Sequence, residues 1–252
     1  MKIMSFNIRC ENTNDTGERS WSSRRAAALA MFAEQKPDIA GVQEARPAQK
    51  KYLDEKLTGY KSIGVGRDDG AGEGEFSAIY YLENFFKPED SGTFWLSQTP
   101  SVPSKGWDAN IFRIATYAVF THIESGKKLF VVNTHLDHRG TEARIKSMEL
   151  LEEKIKILNA NNYPVLLMGD FNMTIDDSNF DNIRKIFGNA QKDSPETDQI
   201  NSFNFCGSGG DTIDFIFYRG ITPLKFQTIN KPYLEIEYIS DHYPIAVDFQ
   251  FG

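Results

Sequence analysis

Eight apolar runs of four to six residues dominate the chain: Lys2–Phe6, Ile39–Val42, Ser77–Leu82, Ala115–Phe120, Leu129–Asn133, Val165–Met168, Ile213–Tyr218 and Ile245–Phe249. Runs of this length, bounded by polar or turn residues, read as buried strands. Helical periodicity appears between some of them, at Ser22–Gln35, Pro47–Leu57 and Thr141–Asn159, the last carrying Ile145, Met148, Leu151, Ile155 and Leu158 on one stripe. Strict strand–helix alternation fails in the middle and C-terminal parts. An α/β sandwich with mixed sheets is therefore expected, rather than a doubly wound parallel sheet.

Nothing in the sequence marks a boundary inside this pattern. No repeat, low-complexity tract or Pro/Gly/Ser-rich linker interrupts it, so residues 1–252 are expected to form one domain. With 40% hydrophobic and 25% charged residues, the chain has the profile of an ordinary globular protein. A net charge of -7 argues against a broad basic surface that holds nucleic acid through its phosphates, although a divalent cation could bridge the repulsion locally. Cys10 and Cys206 lie in no metal-ligand spacing and are expected to be small buried residues. No stretch is long and apolar enough to span a membrane, and polar Asn7 and Arg9 come too early for a signal-peptide apolar region. The sequence as it stands thus suggests a cytoplasmic protein, or a secreted or periplasmic one if a leader has been removed. The Gly-rich segment Gly64–Gly74, with Asp68, Asp69, Glu73 and the following Glu75, reads as an exposed turn or as a metal or substrate loop.

The informative residues sit where the apolar runs stop. Asn7 follows the first run, Glu44 the second, His135 the run ending at Asn133, and Asp170 and Asn172 the run ending at Met168. In a layered α/β fold such strand ends share a rim, so they can converge on one cleft. Asp170, brought forward behind Gly169, can hold a water for in-line attack on phosphorus while Asn172 donates to it; alternatively both cap a turn. Glu44 is a surface carboxylate or a ligand for a hard cation. His135 and His138 lack the cysteines or third histidine of a zinc site, and His135 suits a hydrogen bond to a phosphate oxygen. Adjacent Asp241 and His242 point to opposite sides of an extended backbone, one toward a cation and the other toward substrate. Asp214 lies in an apolar run where an unpaired charge is costly, so it needs a partner, and His242 is the candidate.

Together, Ser5-Phe6-Asn7, Gln43-Glu44, Asn133-Thr134-His135-Leu136, Gly169-Asp170-Phe171-Asn172, Ile213-Asp214 and Ser240-Asp241-His242 resemble the endonuclease/exonuclease/phosphatase superfamily, motif for motif and in order. That superfamily includes pancreatic deoxyribonuclease, apurinic/apyrimidinic endonucleases, bacterial sphingomyelinases, inositol-polyphosphate phosphatases and nocturnin-like deadenylases. Trp21-Ser22-Ser23-Arg24, Trp107-Asp108 with Arg113, and Asp137-His138-Arg139 look like a bacterial branch near the deadenylases.

The resemblance implies a four-layer α/β sandwich with two central mixed β-sheets flanked by helices. It places Asn7, Glu44 and Asp241 at a Mg²⁺ site, with Mn²⁺ as the alternative. Asp170 would position or deprotonate the attacking water and Asn172 would orient it. His135 and His242 would contact the phosphoryl group, with Asp214 orienting His242 and favouring its protonated form. Arg113 is a candidate contact to substrate phosphate or the partner of a structural carboxylate. Trp95 and Trp107 are packed aromatics or base-stacking platforms.

The expected activity is metal-dependent hydrolysis of a phosphate ester, with a diester favoured over a monoester. The substrate is left among nucleic acid, a phospholipid head group and a small metabolite. The rival is a catalytically inactive module on the same fold that binds a phosphorylated ligand or a protein. Against a nuclease stands the lack of any Lys/Arg cluster interleaved with aromatics, and against a membrane-acting sphingomyelinase the lack of an apolar hairpin.

Overall fold

The computed structural model describes residues 1–252. Its strands are β1 (Lys2–Asn7), β2 (Ile39–Ala45), β3 (Tyr60–Ile63), β4 (Phe76–Leu82), β5 (Phe86–Trp95) and β6 (Ile114–His122). They continue with β7 (Lys128–His135), β8 (Val165–Asp170), β9 (Gly188–Asn189), β10 (Asp214–Arg219), β11 (Ile221–Thr228) and β12 (Ile245–Phe251). Two six-stranded mixed sheets result, in the orders β11-β12-β1-β2-β4-β3 and β5-β6-β7-β8-β10-β9.

The main helices are α1 (Trp21–Gln35), α2 (Pro47–Lys56) and α3 (Thr141–Leu158), each within a residue of its expected bounds. Met31, Phe32 and Leu53 of α1 and α2 join Phe6, Val42 and Tyr80 in a core on the outer face of the first sheet. Met148, Leu151 and Ile155 of α3 do the same with Phe130, Leu167 and Phe217 on the second. Ile145, expected on that stripe, is exposed. Between the sheets a third core interleaves Ile3, Ile39, Ile79 and Val247 with Phe120, Val131, Leu166 and Ile216. The layering is thus α/β/β/α, the four-layer sandwich.

All four strands that the sequence pattern does not reveal, β3, β5, β9 and β11, are the four sheet edges. Edge strands pack against one neighbour and tolerate proline and charge, as Pro88 and Asp90 in β5 and Pro223 in β11 illustrate. Their apolar pattern is diluted for that reason.

The inter-sheet layer carries one polar clamp. Asn133 in β7 is fully buried; its Nδ2 donates to the carbonyls of Val42 (3.1 Å) and Ala78 (2.8 Å), and its Oδ1 accepts from Gln43 Nε2 (2.6 Å). Gly41 makes room for it, since a Cβ there meets Asn133 Oδ1 at 2.7 Å. Asn133→Leu removes the clamp and leaves buried polar groups unpaired, so it is expected to destabilise by about 2–4 kcal/mol. Urea unfolding checks this, with a lower midpoint at unchanged slope as the expected result.

Candidate active site

Asn7, His135 and Asp170 end β1, β7 and β8, and Glu44 lies one residue from the end of β2. Asp214 begins the antiparallel β10, opposite Asp170 in register, and Asp241 and His242 lead into the antiparallel β12. Parallel strands leaving and antiparallel strands entering at one rim bring all of these residues to the same end of the sandwich. At Glu44 the backbone takes φ +64 beside a register shift in the β2–β4 ladder. A bulge of that kind re-aims a side chain, here toward the rim.

The centre is a pair of carboxylates, buried Asp170 and half-buried Glu44, joined by an amide. Asn7 Nδ2 donates to Glu44 Oε1 (3.0 Å) and to Asp170 Oδ2 (2.9 Å). Glu44 Oε2 also accepts from the Cys10 backbone N–H at 2.8 Å. Burial pushes the Glu44 carboxyl up, but these two donors and the charges of His242 and Arg113 bring it below its ordinary value. Burial and the charge of Asp214 push Asp170 the other way, up to about 7. The backbone N–H of Asn172, at φ +50, holds Asp170 Oδ1 at 2.9 Å, while the Asn172 amide donates to the Leu136 carbonyl.

His242 faces the same carboxylate. Its Nδ1 is 2.8 Å from Asp214 Oδ2 and its Nε2 is 3.7 Å from Asp170 Oδ2. Asp214 therefore has the partner that its apolar setting demanded. Burial opposes protonation of His242, but Asp214 and Asp170 outweigh it and push the imidazole up to about 10, so it carries charge at neutral pH. Ser202 completes the pair by donating to Asp214 Oδ2 at 2.7 Å. His135 differs: burial and the charges of Arg113 and Arg67 drive it well below its ordinary value, leaving a neutral ring with Nε2 3.3 Å from Asp170.

One oxygen each from Glu44 and Asp170 and a nitrogen from His135 lie within 4.8 Å of one another. Two adjacent carboxylates, of which the buried one is pushed toward the protonated state, fit a hard divalent cation, whose charge would relieve both. Asn7 turns its nitrogen toward the carboxylates and its Oδ1 toward the Arg9 N–H (3.0 Å), so ligation through oxygen requires the amide to rotate. Asp241 is paired with the Arg9 guanidinium.

Beside Glu44 and His135 opens a recess of about 10 Å³, room for roughly one water molecule, lined also by Arg67, Glu75, Ser77, Phe112 and Arg113. Arg113 is 4% exposed, yet its Nε and Nη1 have no hydrogen-bond partner; Nη2 meets His138 Nδ1 at 3.0 Å, and Asp137 Oδ2 lies 3.5 Å from Nε. Arg67 pairs with Glu75 through both guanidinium nitrogens, at 2.5 and 3.1 Å. The tip of the Gly-rich segment, with Asp68, Asp69 and Glu73, is exposed, while its two ends wall the recess. Trp95 is a packed aromatic with its indole N–H on the Arg67 carbonyl (2.7 Å), and Trp107 is half-buried. Both cysteines are half-buried rather than buried, because each sits in a loop at this rim.

Arg9, Arg67 and Ser202 give no sign in the sequence of belonging to the site. Arginines and serines in loops carry no local signal of burial, and these acquire their meaning only from partners far along the chain.

A four-layer sandwich whose strand ends gather two neighbouring carboxylates, a charged His–Asp pair and an arginine-lined recess has a layout suited to phosphate-ester chemistry. The profile of the Endonuclease/Exonuclease/phosphatase family matches residues 4–242, and the chain belongs to that family. Its members are in general metal-dependent hydrolases of phosphate esters. A family protein from Bacteroides thetaiotaomicron is 33% identical, with a TM-score of 0.94 over 100% of this chain and 98% of that one. A mannosyl-6-phosphatase from the same bacterium is 32% identical, with a TM-score of 0.92 over 100% of both chains. The catalytic domain of human Nocturnin shares the fold, with a TM-score of 0.79 at 20% identity over 100% of this chain and 93% of that one. No helix is long and apolar enough to cross a membrane.

Asp137 supports this site through a titratable contact. Burial raises its carboxyl, but the N–H groups of Gly140, Arg139 and Asn110, with Arg113, bring it down to about 2. A depressed carboxylate contributes stability above its unfolded value near 3.8, and that contribution disappears as pH falls through about 2. Asp137→Asn is expected to lose about 2 kcal/mol at pH 7 and to show a flatter stability profile between pH 4 and 2 than wild type. Urea titrations at several pH values measure both.

Proposed function

We propose that the whole chain acts as one domain, a Mg²⁺- or Mn²⁺-dependent phosphomonoesterase of a small phosphorylated metabolite such as a sugar phosphate. The observation that carries the ester class is Arg113, buried with unpaired donors in a recess shared with Glu44 and His135. A monoester presents three non-bridging oxygens and up to two negative charges. Three separate cationic partners suit it: a cation at Glu44, protonated His242, and Arg113. A diester has one non-bridging oxygen fewer, and a recess this small takes an oxygen but no second ester group. This departs from the diester expected from the motifs. The likeness to a mannosyl-6-phosphatase supports the same choice.

The cation, when bound, would withdraw charge from the phosphoryl oxygens and acidify a nearby water. The remaining work falls to side chains. Asp170, close to neutrality in its proton affinity and fixed by Asn7 and the Asn172 N–H, accepts the proton of the attacking water. His242, held by Asp214, donates to a phosphoryl oxygen as charge accumulates there, while the bond from phosphorus to the ester oxygen breaks and the leaving alkoxide takes a proton from solvent. Neutral His135 donates a further hydrogen bond through Nε2. Arg113 holds the phosphate in line through planar donors that a lysine cannot reproduce.

With Mn²⁺ present, kcat/KM for mannose 6-phosphate and p-nitrophenyl phosphate is expected to exceed that for bis(p-nitrophenyl) phosphate. EDTA should abolish turnover. Asp170→Ala and His242→Ala should each lower kcat by about a thousandfold without loss of fold. Preference for the diester would overturn the ester class alone. Full activity in EDTA would overturn the metal, and no turnover of any ester would favour an inactive module that binds a phosphorylated ligand.

A further inference from the structure

Asp241 is the rim carboxylate that already has a cation. Arg9 lies between it and Asp15: Nε and Nη2 each meet an Asp15 oxygen at 2.7 Å, and Nη1 donates to Asp241 Oδ2. The other Asp241 oxygen lies 3.2 Å from Ser240 Oγ. Both partners are fixed by their backbones. The Arg9 N–H binds Asn7 Oδ1, and the Arg9 carbonyl accepts from Arg24 Nη2 (2.7 Å) and Gln49 Nε2 (3.1 Å). Its φ of +57 is a conformation that a non-glycine residue keeps only where its surroundings impose it. The Asp241 carbonyl accepts from the N–H groups of Asn204 (2.8 Å) and Phe205 (3.1 Å), and Asn12 Nδ2 holds Asp15 at 2.9 Å.

The backbones of both residues are fixed, and swinging the guanidinium away from Asp241 also breaks or strains its two contacts to Asp15. Asp241 also stands outside both sets of converging donor atoms, Glu44–His135–Asp170 and Asp170–Asp214–His242. We propose that the Arg9 guanidinium is the resident cation of Asp241, so that Asp241 is a positioning residue and the site takes one divalent metal, at Glu44. The inference rests on the metal-dependent reading above and departs from the ligand set that the family resemblance implies.

The pair has a clear positioning task. Ser240 Oγ donates to the Asn7 carbonyl (2.7 Å) and accepts from the His242 N–H (3.2 Å), so the Arg9–Asp241 pair ties the segment bearing His242 to the strand bearing Asn7. Buried Arg24 reinforces the tie through the carbonyls of Ile8 and Ile239. The Trp-Ser-Ser-Arg motif thereby has a mechanical role at the site.

Titrating the metal-free protein with Mn²⁺ alone, and reading the free ion by electron paramagnetic resonance, tests this. Wild type is expected to bind one Mn²⁺ per chain. Glu44→Gln should weaken binding by about a hundredfold, the scale of losing a ligand or its close support. Asp241→Asn should stay within about threefold of wild type, since at most a screened charge is lost. Arg9→Gln removes a positive charge and frees a carboxylate, so it should tighten binding by about fivefold. Asp241→Asn losing Mn²⁺ as fully as Glu44→Gln, Arg9→Gln leaving affinity unchanged or weaker, or two Mn²⁺ per wild-type chain would each overturn the inference alone. A wild type that takes up no Mn²⁺ would remove the metal reading with it. Circular dichroism verifies the fold of each variant, and because the two variants probe the pair from opposite sides, either decides the question if the other does not fold.

Discussion

The amide nitrogen of Asn7 donates at once to Glu44 in the first sheet and Asp170 in the second, and most of the rim is arranged around that junction. A buried carboxylate beside a half-buried one is costly unless donors or cations answer them. The chain supplies donors locally, from Cys10 and Asn172, and cationic side chains at longer range, from His242 and Arg113. The residual imbalance appears as an Asp170 that keeps a proton up to about pH 7. A site in that condition is prepared to exchange the proton for a divalent cation or to take one from water.

The loops that support this junction support each other. Asp137 accepts the N–H groups of Asn110, Arg139 and Gly140 while Asp108 accepts those of Ala143 (2.6 Å) and Glu142 (3.3 Å) at the start of α3. The Trp107-Asp108 and Asp137-His138-Arg139 motifs, far apart in sequence, are thus reciprocal caps. Between them they hold Arg113 at the recess, with His138 on its other side. Fixing a guanidinium so that two of its nitrogens stay unpaired costs stability, and donors pre-positioned in this way are suited to charge that develops in a transition state.

The interior of the fold was legible in the sequence because central strands must be apolar on both faces, which leaves short continuous runs such as Val165–Met168. The edges were not, because β5 and β11 meet that demand on one side only. At the site, Asn7, Glu44, His135 and Asp170 announced themselves as polar residues where such runs stop, and Asp214 as a charge in an apolar setting. Arg9, Arg67 and Ser202 gave no such sign. Nor does any local pattern reveal the left-handed backbone at Arg9, Glu44 and Asn172, which long-range contacts impose and which aims their groups. Asp241 was legible as a site residue but not as the partner of Arg9, since nothing in either segment points to the other.

The most direct measurement of the account is a crystal structure grown with Mn²⁺ and inorganic phosphate, read by anomalous scattering at the manganese edge. One manganese peak is expected at coordination distance from Glu44, and a phosphate whose oxygens reach His242 Nε2 and Arg113 Nη1, with Asp170 facing the phosphorus. A manganese peak away from Glu44, or a phosphate bound with Arg113 turned away from it, would contradict the account.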